Sequence, residues 1–253
     1  MNYPFFYFVY KYELRNEILY LYDTFNVSMK TVAILLFFLS VFDVSFSQKD
    51  SLNIGDRYAD DQVYVSVSYS QFYDQPTSIT KSNFSYSLST GFLKDLILNN
   101  GGNFSIAAGF GYGFDFFNHD LKVEEVNNKP VFSSDTSSSA NLLKSHNLEF
   151  PVEIRWRTSS ANNYDFWRIY TGIKFLYNVS NTFQFENSSN EILKYADISS
   201  FNKFQYGLTL SAGYDEFNIN IFYGLTPIFN NSIINGEDIN TKILKFGLIF
   251  YIL

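Results

Sequence analysis

The stretch NFSIAAGFGYGFDFF, residues 103–117, interleaves two residue classes with a strict period of two. Phe104, Ile106, Ala108, Phe110, Tyr112, Phe114 and Phe116 make one set, and Ser105, Ala107, Gly109, Gly111, Gly113 and Asp115 the other. Successive side chains of a β-strand point to opposite faces, so this segment reads as a strand with one bulky and one small face. The pattern recurs downstream of residue 60, predicting strands over 62–73, 82–93, 103–116, 146–157, 166–179, 204–214, 217–226 and 241–251. Each is close to the roughly 9–11 residues a tilted strand needs to cross a bilayer. No sustained helical period occurs there, which predicts an all-β chain.

The connections alternate in length. Those after the second, fourth and sixth strands are compact (KDLILNNGG, TSSANNYD and Asp215-Glu216), whereas 117–145 and 180–203 are long and polar; the first, 74–81, is short. Tight turns at one end and larger loops at the other are the habit of an up-and-down transmembrane barrel, with short periplasmic turns and longer external loops.

Alternation alone leaves open which face is inside, because soluble barrels also alternate. Volume decides the expectation. The second strand sets Phe84, Tyr86, Leu88 and Phe92 against Ser85, Ser87, Ser89 and Gly91; the sixth sets Tyr206, Leu208, Leu210 and Tyr214 against Gly207, Thr209, Ser211 and Gly213. An eight-stranded barrel has an interior only just wide enough for side chains, so the rings cannot all point inward. They are expected on a lipid-facing exterior, since in water they would form an apolar belt far larger than soluble monomers expose. Closure meanwhile satisfies the backbone hydrogen bonds in a medium without water. Beside Phe84, Tyr86, Phe104, Ile106, Phe110, Tyr112, Phe114 and Leu208, the lipid-facing set includes Trp156, Ile169, Phe175, Phe246 and Phe250. Tyr69, Phe116, Trp167, Tyr177 and Tyr214 stand near strand ends, where interfacial girdles form.

The fourth strand, HNLEFPVEIRWR, sends Glu149, Glu153, Arg155 and Arg157 inward, and the fifth sends Arg168, Tyr170 and Lys174. A turn centred near residues 161–162 would put Glu149 opposite Lys174 and Glu153 diagonal to Arg168. Buried charges persist only when paired, so a salt-bridge network closing the lumen is expected, with a selectivity filter or proton path as the alternative. Pro151, which lacks a ladder donor, points to a bulge.

Cysteine is absent and His occurs twice, which thins the supply of metal ligands and nucleophile–base pairs. No cofactor or metal is expected. A net charge of -7 offers no basic stripe for phosphates, which argues against nucleic acid as a partner. The Gly109, Gly111 and Gly113 series is not a nucleotide loop, because no helix follows it; it makes room in the lumen. His119 and His146, with Asp115 and Asp120 near, leave an outer-membrane enzyme open as a less favoured reading, and no spacing singles out a dyad or triad.

From Met29 the chain runs MKTVAILLFFLSVFDVSFSQ: a Lys, an apolar stretch from Val32 to Phe42, then Ser45-Phe46-Ser47. This predicts a signal peptide over 29–47, too short for a spanning helix. Residues 48–61 form a periplasmic lead-in, 62–253 the barrel, and 1–28 an upstream extension from a start assigned too early.

GDRYADDQVYVSVSY, GFLKDLILNNGGNFSIAAGFGYGFD, LEFPVEIRWR, FWRIYTGIKFLYNV, FQYGLTLSAGY and LKFGLIFYIL, in that order, resemble the PorT-like outer-membrane β-barrel family of the Bacteroidetes and flavobacterial group over roughly 51–253. The resemblance implies an integral outer-membrane protein, embedded in lipid and associated with type IX secretion and gliding machinery. It supplies no catalytic motif. Because a filled eight-stranded barrel cannot pass a polypeptide, the expected role is accessory, through contacts with secretion proteins. A small-solute porin or surface-binding barrel is the alternative.

Overall fold

In a computed structural model of the chain, described over residues 61–79, 83–99, 102–127, 129–134, 141–158, 167–186, 191–214 and 217–252, the secondary structure is entirely β. The extension, signal segment and lead-in expected over 1–60 lie outside the described residues. The strands are β1 (Gln62–Tyr73), β2 (Tyr86–Ile97), β3 (Phe104–His119), β4 (Leu121–Val126), β5 (Lys129–Ser134), β6 (Asn141–Arg157), β7 (Trp167–Glu186), β8 (Ile192–Ala196), β9 (Phe204–Tyr214), β10 (Phe217–Gly224), β11 (Ile233–Ile234), β12 (Glu237–Asp238) and β13 (Lys242–Ile252).

Eight of these form one antiparallel sheet in the order β6-β3-β2-β1-β13-β10-β9-β7, and β7 pairs back onto β6 to close it. Closure leaves no edge in the wall. The bulky set lies outside: Phe104, Phe110, Tyr112 and Phe246 are each 41% or more exposed, whereas Ser105 and Ala107 are buried. Val63 pairs with Ile252, so both ends of the barrel segment lie at one end, together with Ile97, Phe104, Arg157, Trp167, Tyr214 and Phe217.

At the opposite end the strands run further than the alternation predicts. β3, β6 and β7 reach His119, Asn141 and Glu186, and β8 pairs onto the upper part of β7. The segments expected to be long polar loops are therefore largely strand, and they enclose an apolar core. Phe72, Phe117, Leu121, Val123, Leu143, Leu176, Phe183 and Phe222 meet Ile198, Phe201, Ile228 and Phe229 in one buried cluster. The β4–β5 hairpin contributes Val123 and leans Phe132 on Phe229, with ring centroids 4.9 Å apart. The β11–β12 hairpin adds Ile234 through Asn235-Gly236, both at positive φ (49° and 85°), the geometry of a two-residue primed turn.

Register corrects three further expectations. β2 runs to Ile97 rather than ending at 93, because Asp95 is held inside by arginines across the lumen. The β6–β7 ladder pairs Arg157 with Arg168 and Pro151 with Lys174, so Glu149 lies opposite Leu176 and reaches Lys174 on the diagonal. The bulge is not at Pro151: on β3 the register is the same on either side of it, from Ala108↔Val152 to Gly111↔Glu149. It lies instead where His146 pairs with Ser180 and Asn147 with Asn178, leaving Val179 as the extra residue of β7.

That bulge changes which residues face inward. Below it Arg168, Tyr170, Leu176 and Asn178 are the buried positions of β7; above it they are Asn181, Phe183 and Phe185. Asn178 ties the site together, its Nδ2 within 2.9 Å of both Ser145 Oγ and Asn147 Oδ1, while Asn181 Nδ2 donates to Asn178 Oδ1 at 3.0 Å.

Candidate functional site in the barrel lumen

Among the described residues the lumen gathers a dense set of ionisable groups, because the inward phase carries charged and small polar side chains together with a few large ones, Tyr64, Leu93, Tyr170, Ile249 and Tyr251. Its lower tier surrounds Asp95. Arg157 Nη1 lies 3.0 Å and Arg155 Nη1 3.6 Å from its carboxylate, and Ser105 donates to it at 2.7 Å. Arg157 Nε also donates to the Gly102 carbonyl at 3.0 Å. Arg155 Nε donates to Glu153 at 3.0 Å, and its guanidinium lies over the ring of Tyr170, 4.6 Å from the centroid. Arg168 faces the ring of Tyr251 at 5.8 Å. Planar, weakly hydrated guanidinium groups suit such a site, where they pair with carboxylates and stack on aromatic faces together.

The middle tier centres on Glu149, whose Oε2 accepts from Ser89 at 2.6 Å, Lys174 at 2.8 Å and Tyr64 at 3.0 Å. Three donors on one carboxylate oxygen offset much of its desolvation. The glycines of β3 make this possible. A Cβ on Gly113 would stand 2.5 Å from Glu149 Oε1, and one on Gly111 would run into the Tyr64 hydroxyl. Above this, Asp115 accepts from Ser87 and Lys245 at 2.5 Å each and from Asn147 at 2.9 Å. The bulge asparagines continue the chain upward to the apolar cap.

All six lumen residues picked out by alternation, Glu149, Glu153, Arg155, Arg157, Arg168 and Lys174, point inward. Arg155, Arg157 and Arg168 are at most 2% exposed. Three participants escaped that reading. Asp95 lies in a segment that reads as a turn, Asp115 belongs to the inward set of residues 103–117 but reads there as a neighbour of the two histidines rather than as a lumen charge, and Lys245 sits on the inward phase of β13 in a segment whose apolar residues dominate. Together they make four buried carboxylates against five cations. Two small cavities of about 10 Å³ each lie between these groups, one lined by Ser66, Ser87, Glu149 and Lys245, the other by Tyr64, Glu153 and Thr209. That is about one water apiece.

The two histidines lie on opposite faces. His119 is 2% exposed inside the cap, near Phe72 and Phe183, with Nδ1 accepting from the Leu121 amide at 3.0 Å. It stands beyond the last paired aromatic of β2 and β3, outside the spanning part of the wall. Burial there pushes its pKa down to about 3. His146 faces outward and meets the Tyr112 hydroxyl. They do not converge on a common atom.

A family model for the outer membrane protein β-barrel domain matches residues 46–230 of the chain. The chain belongs to that family. It is an outer-membrane β-barrel protein, and its apolar exterior contacts lipid. No curated protein matches the chain. Among solved structures it is similar to Ail, the attachment invasion locus protein of Yersinia pestis, at 11% identity and a TM-score of 0.33, with 76% of this chain and 96% of that chain covered.

For a family member the outer surface falls into bands. Trp156, Trp167, Tyr214, Phe217 and Phe250 ring the end that carries both barrel termini. Tyr69, Tyr86, Phe116, Tyr177 and Phe204 ring the other. From Phe104 to Phe116 is roughly 40 Å along the strand at about 3.3 Å per residue, or some 30 Å along the axis after tilting, enough for the apolar band and its girdles. Beyond the second ring the wall reverses polarity. Thr182 and Gln184 face outward while Phe183 and Phe185 face in, because the medium outside has changed from hydrocarbon to water.

Proposed function

We propose that the protein is a non-enzymatic, PorT-like accessory component of outer-membrane protein secretion, of the type IX and gliding kind. In this reading the segment from Met29 to Ser47 exports it, and it acts through its external head and rim rather than by passing cargo. The observation carrying this reading is the filling of the lumen by tiers of buried ion pairs beneath an apolar cap, which leaves no path for a polypeptide. The PorT-like order of phrases over roughly 51–253 supports the secretion link. The separation of His119 from His146, and the engagement of Asp115 with Lys245, support a role without catalysis.

Two measurements test it. The purified protein in planar bilayers is expected to give no unitary conductance steps; discrete steps would replace this reading with that of a small-solute pore. Affinity purification of the full chain from detergent-solubilised outer membranes is expected to bring down secretion components, and its deletion to trap their cargo in the periplasm. Normal cargo release in the deletion strain would sink the secretion role.

A further inference from the structure

We propose that Lys144 and His146, side by side on the outward face of β6, form a docking site for the phosphate of an outer-leaflet lipid. The two alternate with buried Leu143, Ser145 and Asn147, so their side chains leave the wall on the same side, two residues apart. They stand at the upper girdle, where Phe116 lies across from Lys144 and Phe114 from His146 on β3. On the β7 side their partners are Thr182 and Ser180. None of these four lateral neighbours is a carboxylate. The nearest outward acid on those strands is Glu186, four residues beyond Thr182 along β7.

Pairing elsewhere sharpens the point. Lys94, Lys122, Lys174, Lys242 and Lys245 each have a carboxylate partner. Lys144 has no ion pair among the described residues, as Lys129, Lys194 and Lys203 have none, and is set apart by its place on the outward face of the wall beside His146. A cation left without a counter-charge where the wall leaves the hydrocarbon is set at the depth of lipid headgroups. His146 is oriented for the same task. Its Nδ1 meets the Tyr112 hydroxyl and its ring lies 5.1 Å from that of Phe114, while Nε2, across the ring from Nδ1, has no hydrogen bond among the described residues. With the phenol donating to Nδ1, Nε2 carries the proton and donates. An ammonium and an imidazole N–H beside one another suit a phosphate monoester, and the Tyr112, Phe114 and Phe116 rings beneath offer a surface for acyl chains. The proposal requires only the outer-membrane placement and stands apart from the secretion role.

The test uses the full chain folded in detergent, incubated with a phosphorylated glycolipid of the lipid A type or with its dephosphorylated form, and read by native mass spectrometry. The phosphorylated lipid is expected to remain bound preferentially. Lys144→Gln is expected to weaken that retention by about fivefold and the double variant with His146→Gln further, whereas Lys94→Gln, an exposed lysine paired with Asp61 toward the end that carries the barrel termini, leaves it unchanged. Equal retention of the dephosphorylated lipid, or unchanged retention by Lys144→Gln, would overturn the proposal. So would displacement by an equal concentration of inorganic phosphate, which would make this a free-anion site. Heat-modifiable electrophoretic migration reports folding, and Lys144→Gln, an outward side chain without an ion-pair partner, keeps the test usable if the double variant does not fold.

Discussion

Lys245 and Asp115 meet across the lumen at 2.5 Å, with side chains only 9% and 1% exposed. A pair so deeply placed gives little net stability relative to apolar residues of the same size, yet either charge alone is costly. Lys245→Met strands Asp115 with only neutral donors and is expected to cost about 3–5 kcal/mol, read as a lower urea midpoint for the heat-modifiable band. Asp115→Leu with Lys245→Met is expected to restore most of that loss, less whatever the orphaned Ser87 and Asn147 donors retain. If the double variant is as unstable as the single one, the pair is not the unit that matters. Alternation alone placed six of the nine buried charges. Asp115 also belongs to the inward set of residues 103–117, whereas Asp95 was hidden by a misplaced strand end and Lys245 by apolar neighbours, not by any weakness of the period-two pattern.

Val179 and the cap show what sequence reasoning lacks at the level of elements. A period-two pattern breaks at a bulge, so β7 seemed to end at 179 when it continues in the opposite phase to Glu186. Deleting Val179 joins Asn178 to Ser180 in unbroken alternation, so Phe183 and Phe185 are expected to stay inward and the near-ultraviolet circular dichroism of the cap to persist along with the heat-modifiable barrel band, whereas inserting one further residue after Val179 is expected to disturb both the ladder and the cap. Loss of the cap spectrum on deletion would mean that the bulge does more than reset the phase. The cap also carries its own acid sensitivity through His119. Its folded pKa of about 3 lies below the ordinary 6.5, so below pH 6.5 the unfolded cap takes up a proton that the folded cap refuses. Stability is full above pH 6.5 and declines as pH falls toward 3. His119→Gln is expected to flatten the decline between pH 6.5 and 5, measured by cap melting temperature across that range.

The whole molecule has two closures in series, the charged tiers within the spanning wall and the apolar cluster above them. They share few residues, so loosening either should leave the other intact. Phe229→Ser, which opens the cap, and Lys245→Met with Asp115→Leu, which alters the tiers, are each expected to leave bilayers silent; steps in either variant would show that the remaining closure does not suffice alone. Fold class, strand number and the face turned to lipid followed from side-chain volume in Phe104–Phe116. The second closure did not, because its inward rings sit in segments rich in Ser, Asn and Lys whose outward half suggested loops. The rule that large residues face out holds only where hydrocarbon is the surrounding medium.

The reversal of polarity along β3, β6 and β7 also acts as a waterline. Riding one residue pair deeper would drown Gln184 and Lys144 in acyl chains, and riding higher would strand Tyr177 and Phe116 in water. The vessel's draught is therefore set by its own hull. In a bilayer of different thickness the lipid, not the protein, must stretch or thin to meet it.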